Sequence, residues 1–276
     1  MVLLHIKKTE DEQFLCEIPV ATKVTDATRE LVDLQNLRTR IHRLKLEGEE
    51  LAKYGPAKPL DQQGIDKYAE PGVQKGANYQ QDPTGRRTGQ GPDPAAAKTL
   101  LKTLVDAERL AHKDQVANKV LLTRGALEAA IDHIRGAVMI AFPQGLPEWD
   151  LVRQALEGTE ELAGTSHAND ELDPATATLW FAGKQLLPKN QLSHHLGRHE
   201  KTKAVIKLQQ AGQGAPSREA PVDAETQKAM MAFYHKKQEE QKKLAENDED
   251  DYTNSAWANP KALKHHFSGV GSVRIR

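Results

Sequence analysis

The chain holds one cysteine, Cys16, in 276 residues. A lone thiol excludes an internal disulfide framework and a cysteine-based zinc site, and it fits a reducing compartment. Aromatic residues are also scarce, at 5%, so any that fall in polar surroundings are informative. Long apolar runs are missing: no stretch approaches the ~20 residues that a membrane helix needs. Met1 leads into a strand-like run with no charged and apolar leader, so a cytosolic protein without membrane insertion is expected. Excess charge of either sign is missing too. The 38 basic and 39 acidic residues leave a net charge of −1, which removes any general attraction to a phosphate backbone, and nucleic acid is not an expected partner.

Catalytic signatures are equally sparse. There is no Gly-x-Ser-x-Gly elbow and no paired acid/base carboxylate motif. Gly89-Gln90-Gly91 and Gly212-Gln213-Gly214 neither follow a strand nor open a helix with a Lys-Ser/Thr pair, so they read as hinges rather than phosphate loops. His194, His195 and His199 invite a metal site, but no His-Glu-x-x-His arrangement accompanies them, and a solvated loop is the simpler reading. Cys16 falls on the inward side of a strand pattern and reads as core. The expectation is a protein that is not an enzyme and carries no cofactor or metal.

What is present is a strand and helix pattern split by a long excursion. Met1 to Lys8 is a short apolar run, Glu10-Asp11-Glu12 makes a turn, and Gln13 to Pro19 alternates Phe14, Cys16 and Ile18. Thr25 or Asp26 opens a helical pattern through Leu31, Leu34 and Leu37. It continues as Ile41, Leu44 and Leu51, which predicts an extension or a second helix whose far end leaves the domain. Eleven prolines and glycines between Pro56 and Pro92 predict an irregular arm. Asp93-Pro94 then caps a helix reaching about His112, and Thr123 caps another that runs to Ile140 before Pro143. These two helices are expected to pack on each other and on the sheet. A shorter amphipathic segment ends at Leu156.

Asp173-Pro174 would ordinarily open a helix, whereas Thr178, Trp180 and Phe181 favour a strand; a strand is expected here, turning at Ala182-Gly183. Ala204 to Leu208 forms the closing strand. Residues 179 to 208, from Leu-Trp-Phe-Ala-Gly-Lys-Gln-Leu onwards, resemble the second half of a ubiquitin-like domain, and the first two strands supply the first half. The fold class expected is therefore α+β: a ubiquitin-like β-grasp split by a long, partly helical insertion, then a C-terminal helix and tail. The boundaries are 1–51 and 176–210 for the two halves of the core, 52–175 for the insertion, 211–222 for a linker, 223–246 for a helix and 247–276 for the tail. The resemblance places Trp180 on the strand face that such domains use for recognition, and cover by the helices of residues 94–140 is the competing expectation. Trp257 and Phe267 lie in polar stretches of the tail, either folded back on the core or anchoring a partner.

Several motifs run the length of the chain: Met1-Val2-Leu3-Leu4-His5, Gly85-Arg86-Arg87-Thr88-Gly89-Gln90, Arg135-Gly136-Ala137-Val138-Met139-Ile140, Glu200-Lys201-Thr202-Lys203, Asn254-Ser255 and His266-Phe267. Through them the chain resembles the Kurly family, cilia- and flagella-associated proteins also described as dynein axonemal assembly factors. That resemblance implies a non-enzymatic, cytoplasmic factor for assembling axonemal dynein arms in motile cilia, also found at the basal body. Its implied partners are dynein subunits and co-chaperones. The ubiquitin-like half supports a rival, an adaptor to a chaperone or degradation machine, and a structural axonemal component is a third class. The candidate partner-binding residues are Trp180, Trp257, Phe267, Arg86 and Arg87.

Overall fold

Alternating burial builds the sheet. Val2, Leu4 and Ile6 of β1 (Val2–Lys7) and Phe14, Cys16 and Ile18 of β2 (Gln13–Ile18) point to one side, and the strands pair antiparallel from Val2 opposite Ile18 to Lys7 opposite Gln13. The remaining strands arrive late in the chain: β3 (Ala177–Phe181), β4 (Lys184–Gln185) and β5 (Lys203–Gln210). β5 runs parallel to β1, with Leu3 opposite Lys203 and Lys7 opposite Lys207, and antiparallel to β3. The order β2-β1-β5-β3-β4, with a parallel central pair, is the expected split β-grasp topology. The computed structural model describes residues 1–64, 75–162, 167–168, 170–210, 212–216 and 224–247.

α1 (Val24–Tyr54) is one unbroken helix of 31 residues, about 46 Å long at 1.5 Å per residue. Its first turn needs no side-chain cap, because the loop before β5 supplies acceptors: Val24 N donates to Asn190 O at 2.9 Å and Thr25 Oγ1 to Pro188 O at 2.8 Å. The loop thereby ties the two halves of the split core together. Val24, Ala27, Leu31 and Leu34 join the strand residues in the core. The far end does not leave the domain, contrary to expectation. Ile41, Leu44 and Leu51 are fully enclosed, and α2 (Pro94–Ala111), α4 (Arg124–Ala141) and α5 (Leu151–Glu157) pack on α1. At Gly48 an added Cβ would lie 2.7 Å from Leu104 Cδ1, so glycine permits the close approach of α1 and α2. The helices were expected on the sheet as well; instead α2 and α4 pack principally on each other and on α1.

The caps read at Asp93 and Thr123 are made, whereas the start read at Thr25 or Asp26 is not, since α1 begins at Val24 without a side-chain cap. Asp93 accepts from Ala95 N at 3.1 Å and Thr123 from Ala126 N at 3.4 Å. Asp173 satisfies both of its competing rules by capping a single turn, accepting from Ala175 N at 2.9 Å, before β3 begins. α3 (Asp114–Ala117) follows α2, and Leu122 N beyond it donates to Leu15 O at 2.7 Å, covering part of the free edge of β2. The C-terminus of α2 is closed by Arg38, whose Nε and Nη2 both donate to Ala111 O. Burial lowers that guanidinium to about 10, so it remains charged at neutral pH beside the Phe14 ring.

Residues 1–216 form one compact unit and 217–276 a second. In the second, α7 (Ala224–Asn247) is described, and Met230, Met231, Phe233 and Tyr234 are each more than half exposed on it.

Candidate protein-interaction surface

Burying Ala204, Ile206 and Leu208 turns Lys203, Val205, Lys207 and Gln209 to the opposite face of β5, because side chains alternate along a strand. In β3 the same alternation buries Leu179 and turns Thr178 and Trp180 outward. The register then sets Trp180 opposite Lys207 on one side and Gln185 on the other, while Lys207 lies opposite Lys7 and Lys7 opposite Gln13. A row Gln185-Trp180-Lys207-Lys7-Gln13 thus crosses all five strands. Trp180 is partly exposed, with Nε1 donating to Thr178 Oγ1 at 3.2 Å, and Val205 is 51% exposed. The hairpin that positions Trp180 turns at Ala182 (φ 49°) and Gly183 (φ 77°), two left-handed residues as a two-residue type I′ turn requires. Cover by α2 and α4, the competing expectation for Trp180, is not what the packing provides, since both helices lie against α1.

The two candidate arginines are adjacent in sequence and different in place. The chain after α1 folds back on the helix end: Gly89 N donates to Tyr54 O, Thr88 N to Pro56 O and Lys58 N to Arg86 O, at 2.8–2.9 Å. Gly89-Gln90-Gly91 is therefore packed in place rather than a hinge. Gly55 (φ 74°) faces it so closely that a Cβ would sit 1.9 Å from Gln90 O. Arg87 is drawn inside, its side chain 2% exposed, where it reaches Glu47 Oε2 at 2.8 Å, Glu50 Oε2 at 3.5 Å and Asp150 Oδ2 at 3.5 Å. It also donates to the carbonyls of Gly55 and Glu47. Asp150 is fully buried, accepts from Ala57 N and caps α5 through Val152 N. Arg87 therefore joins α1, the arm and α5, and it is not offered to a partner. Arg86 remains near the surface, 41% exposed, and pairs with Glu47 at 3.3 Å.

Sequence reasoning missed Asp150. The signal was there, since Asp150 precedes the amphipathic run of α5 as an N-cap, but its pairing with Arg87 spans 63 positions. Asp82 supports the same arm. Burial raises its pKa, and donation from the backbone amides of Arg87 and Thr84 outweighs this, holding it below the ordinary carboxylate value.

The segment read as a histidine loop contains a short helix instead, α6 (Leu192–Leu196), formed because Leu192 and Leu196 both find the core. His195 Nε2 accepts from Leu187 N at 3.4 Å. Among the described residues, no three His, Cys, Asp or Glu side chains are grouped to hold a metal ion. Cys16 is buried at 3% exposure, and desolvation pushes its thiol far above the ordinary value, so it stays protonated. Among the described residues, no helix is long and apolar enough to cross a membrane. Trp257 and Phe267 lie outside the described residues.

Comparison with known proteins gives a full-length relationship. The family model described as cilia- and flagella-associated protein 298 matches residues 177–273, from β3 into the tail. The chain is 41% identical to the human protein of that name and 40% to the rat one, each over 100% of this chain and 99% of the relative. It is 36% identical to the Drosophila melanogaster protein over the same shares. No solved structure matches. Identity of this level across the whole length, sheet, helical insertion and tail together, means that the chain belongs to the cilia- and flagella-associated protein 298 family.

Proposed function

We propose that the chain is a non-enzymatic binding protein of the cytoplasm that serves the assembly of axonemal dynein arms, acting before the arms enter a motile cilium. The full-length relationship to proteins named for cilia and flagella carries this reading. Dynein subunits and their co-chaperones are the partners it implies, and a share of the protein is expected at the basal body. A sheet face bearing the partly exposed Trp180 is consistent with action by docking rather than by chemistry. Deleting the gene in a ciliated cell should leave cilia built but poorly motile, with dynein arms missing from the axonemes. Fractionation should recover the protein from the cytoplasm before assembly. Recovery of most of it from salt-washed axonemes, at a fixed ratio to tubulin, would replace the assembly role with a structural one.

The β-grasp topology favours a second reading, an adaptor that docks a chaperone or degradation machine through the sheet face. Affinity purification from cells growing cilia separates the two readings, according to whether dynein chains or proteasome components predominate.

A further inference from the structure

The outer sheet face departs from the charge balance of the chain. Across a molecule of net charge −1, this face collects Lys7, Lys203 and Lys207 on the two central strands, and its carboxylate, Glu17, lies on β2. Lys203 is exposed, while Lys7 and Lys207 are partly buried and hold other contacts. Beside them lie the exposed Val205 and the half-covered Trp180 and Leu3. We propose that this face takes an acidic segment of a partner protein, seating an apolar side chain against Trp180 and Val205 while Lys203 and Lys207 meet its carboxylates. The proposal rests on reading the chain as a binding protein and names the chemistry that one of its faces selects.

An exposed ion pair contributes little to affinity, so the lysines set partner choice and encounter rate, while the tryptophan is the anchor. Nucleic acid fits less well. A single-strand platform stacks successive bases on several aromatic rings, and among the described residues this face presents Trp180 alone. A lipid surface fits less well again, because one tryptophan, one valine and a partly covered leucine offer little apolar area to bury.

The test uses the full chain and a fluorescein-labelled peptide in which glutamates flank a leucine-phenylalanine pair. Its controls are the same peptide with glutamine for glutamate, and oligothymidylate. Anisotropy should show binding of the glutamate peptide that weakens with salt and is lost in the glutamine peptide. Lys203→Glu with Lys207→Glu should weaken it roughly tenfold, as two reversed surface charges imply, and Trp180→Ala should weaken it comparably. Lys203→Glu alone, at an exposed position, should lower affinity without altering the melting temperature, which keeps the result independent of folding. Absence of binding, equal binding of the glutamine peptide, or indifference to Lys203→Glu overturns the proposal, and tighter binding of oligothymidylate reassigns the face to nucleic acid. Failure of the peptide with dynein arms still dependent on the gene refutes the face chemistry alone. Peptide binding with arms intact after gene deletion refutes the assembly role alone.

Discussion

The two halves of α1 sit in different surroundings. The first half rests on a sheet whose strands are marked by period-two burial, by a tight turn at Ala182-Gly183 and by strand pairs that repeat over several residues. The second half is enclosed by helices and by a folded-back loop with no periodicity at all, held by a buried arginine, three carboxylates and a ladder of backbone hydrogen bonds. Local pattern specifies each strand of the first region, although the pairing that joins its halves sets Leu3 beside Lys203. Contacts between residues far apart in sequence specify the second, and a polar residue there can matter as much to folding as a leucine does under the sheet.

The sharpest way to break this comparison is Arg87→Ala. Removing one member of a buried charge cluster leaves Asp150 uncompensated at zero exposure, and such a loss costs about 3–5 kcal/mol. Urea unfolding should show a fall of that size in the free energy extrapolated to water. A loss below about 1 kcal/mol would mean that the ladder of backbone bonds holds the arm without the arginine.

This arginine also marks where the sequence stopped being legible. The strands themselves, the caps at Asp93 and Thr123, and the strand at Trp180 rather than a helix were all readable, because each depends on neighbours within a few positions; the order of strands, which sets Leu3 beside Lys203, came from the ubiquitin-like resemblance. The arm read as irregular, and it is irregular by secondary structure, yet it is fixed. Asp150, Glu47 and Arg87 each look like an ordinary surface charge in the sequence, and only the fold brings them together. The same reason explains α6: a five-residue helix is too short for periodicity to reveal and forms because its two leucines are buried. Of the candidate partner residues, Trp180 was placed on the outer face through the ubiquitin-like resemblance, against the competing expectation of helix cover, whereas the different fates of Arg86 and Arg87 could not be read from a pair of identical side chains.

Whether the two regions unfold together is the next question. Leu31 belongs to the sheet half and Leu104 to the helical layer, and both are fully buried, so each truncation to alanine should cost about 2–5 kcal/mol. A shared core predicts that both variants shift one cooperative transition. Cys16 provides an internal reporter. Its thiol lies in the sheet and is sealed, so its labelling rate under native conditions follows the opening equilibrium. Leu104→Ala, although in the other layer, should accelerate labelling as much as Leu31→Ala does for equal loss of stability. Labelling that responds to Leu31→Ala alone would make the helical insertion an independent unit.

Arg86→Ala supplies a smaller contrast. The side chain is 41% exposed and its ion pairs reach partly buried Glu47 at 3.3 Å and Glu50 at 3.9 Å, so the change should cost no more than about 1 kcal/mol. Thermal melts of the two arginine variants side by side should therefore differ several-fold in effect. Similar losses would indicate that the pair acts as one cluster rather than as a buried clamp and a surface charge.

The smallest effect belongs to the turn beneath Trp180. Ala182 holds φ at 49°, a left-handed conformation that costs an alanine roughly 1–2 kcal/mol because its Cβ crowds the following carbonyl. Asparagine adopts that conformation more readily, and Asn-Gly is the preferred pair for a type I′ turn. Ala182→Asn should therefore stabilise the protein by roughly 0.5 kcal/mol, read as a small rise in the urea midpoint with an unchanged slope. Gain without loss of binding would mean that the alanine is tolerated by the fold and has no further role. A gain accompanied by weaker binding of the acidic peptide would mean that the hairpin must yield for Trp180 to engage its partner, making the strained turn part of the docking surface.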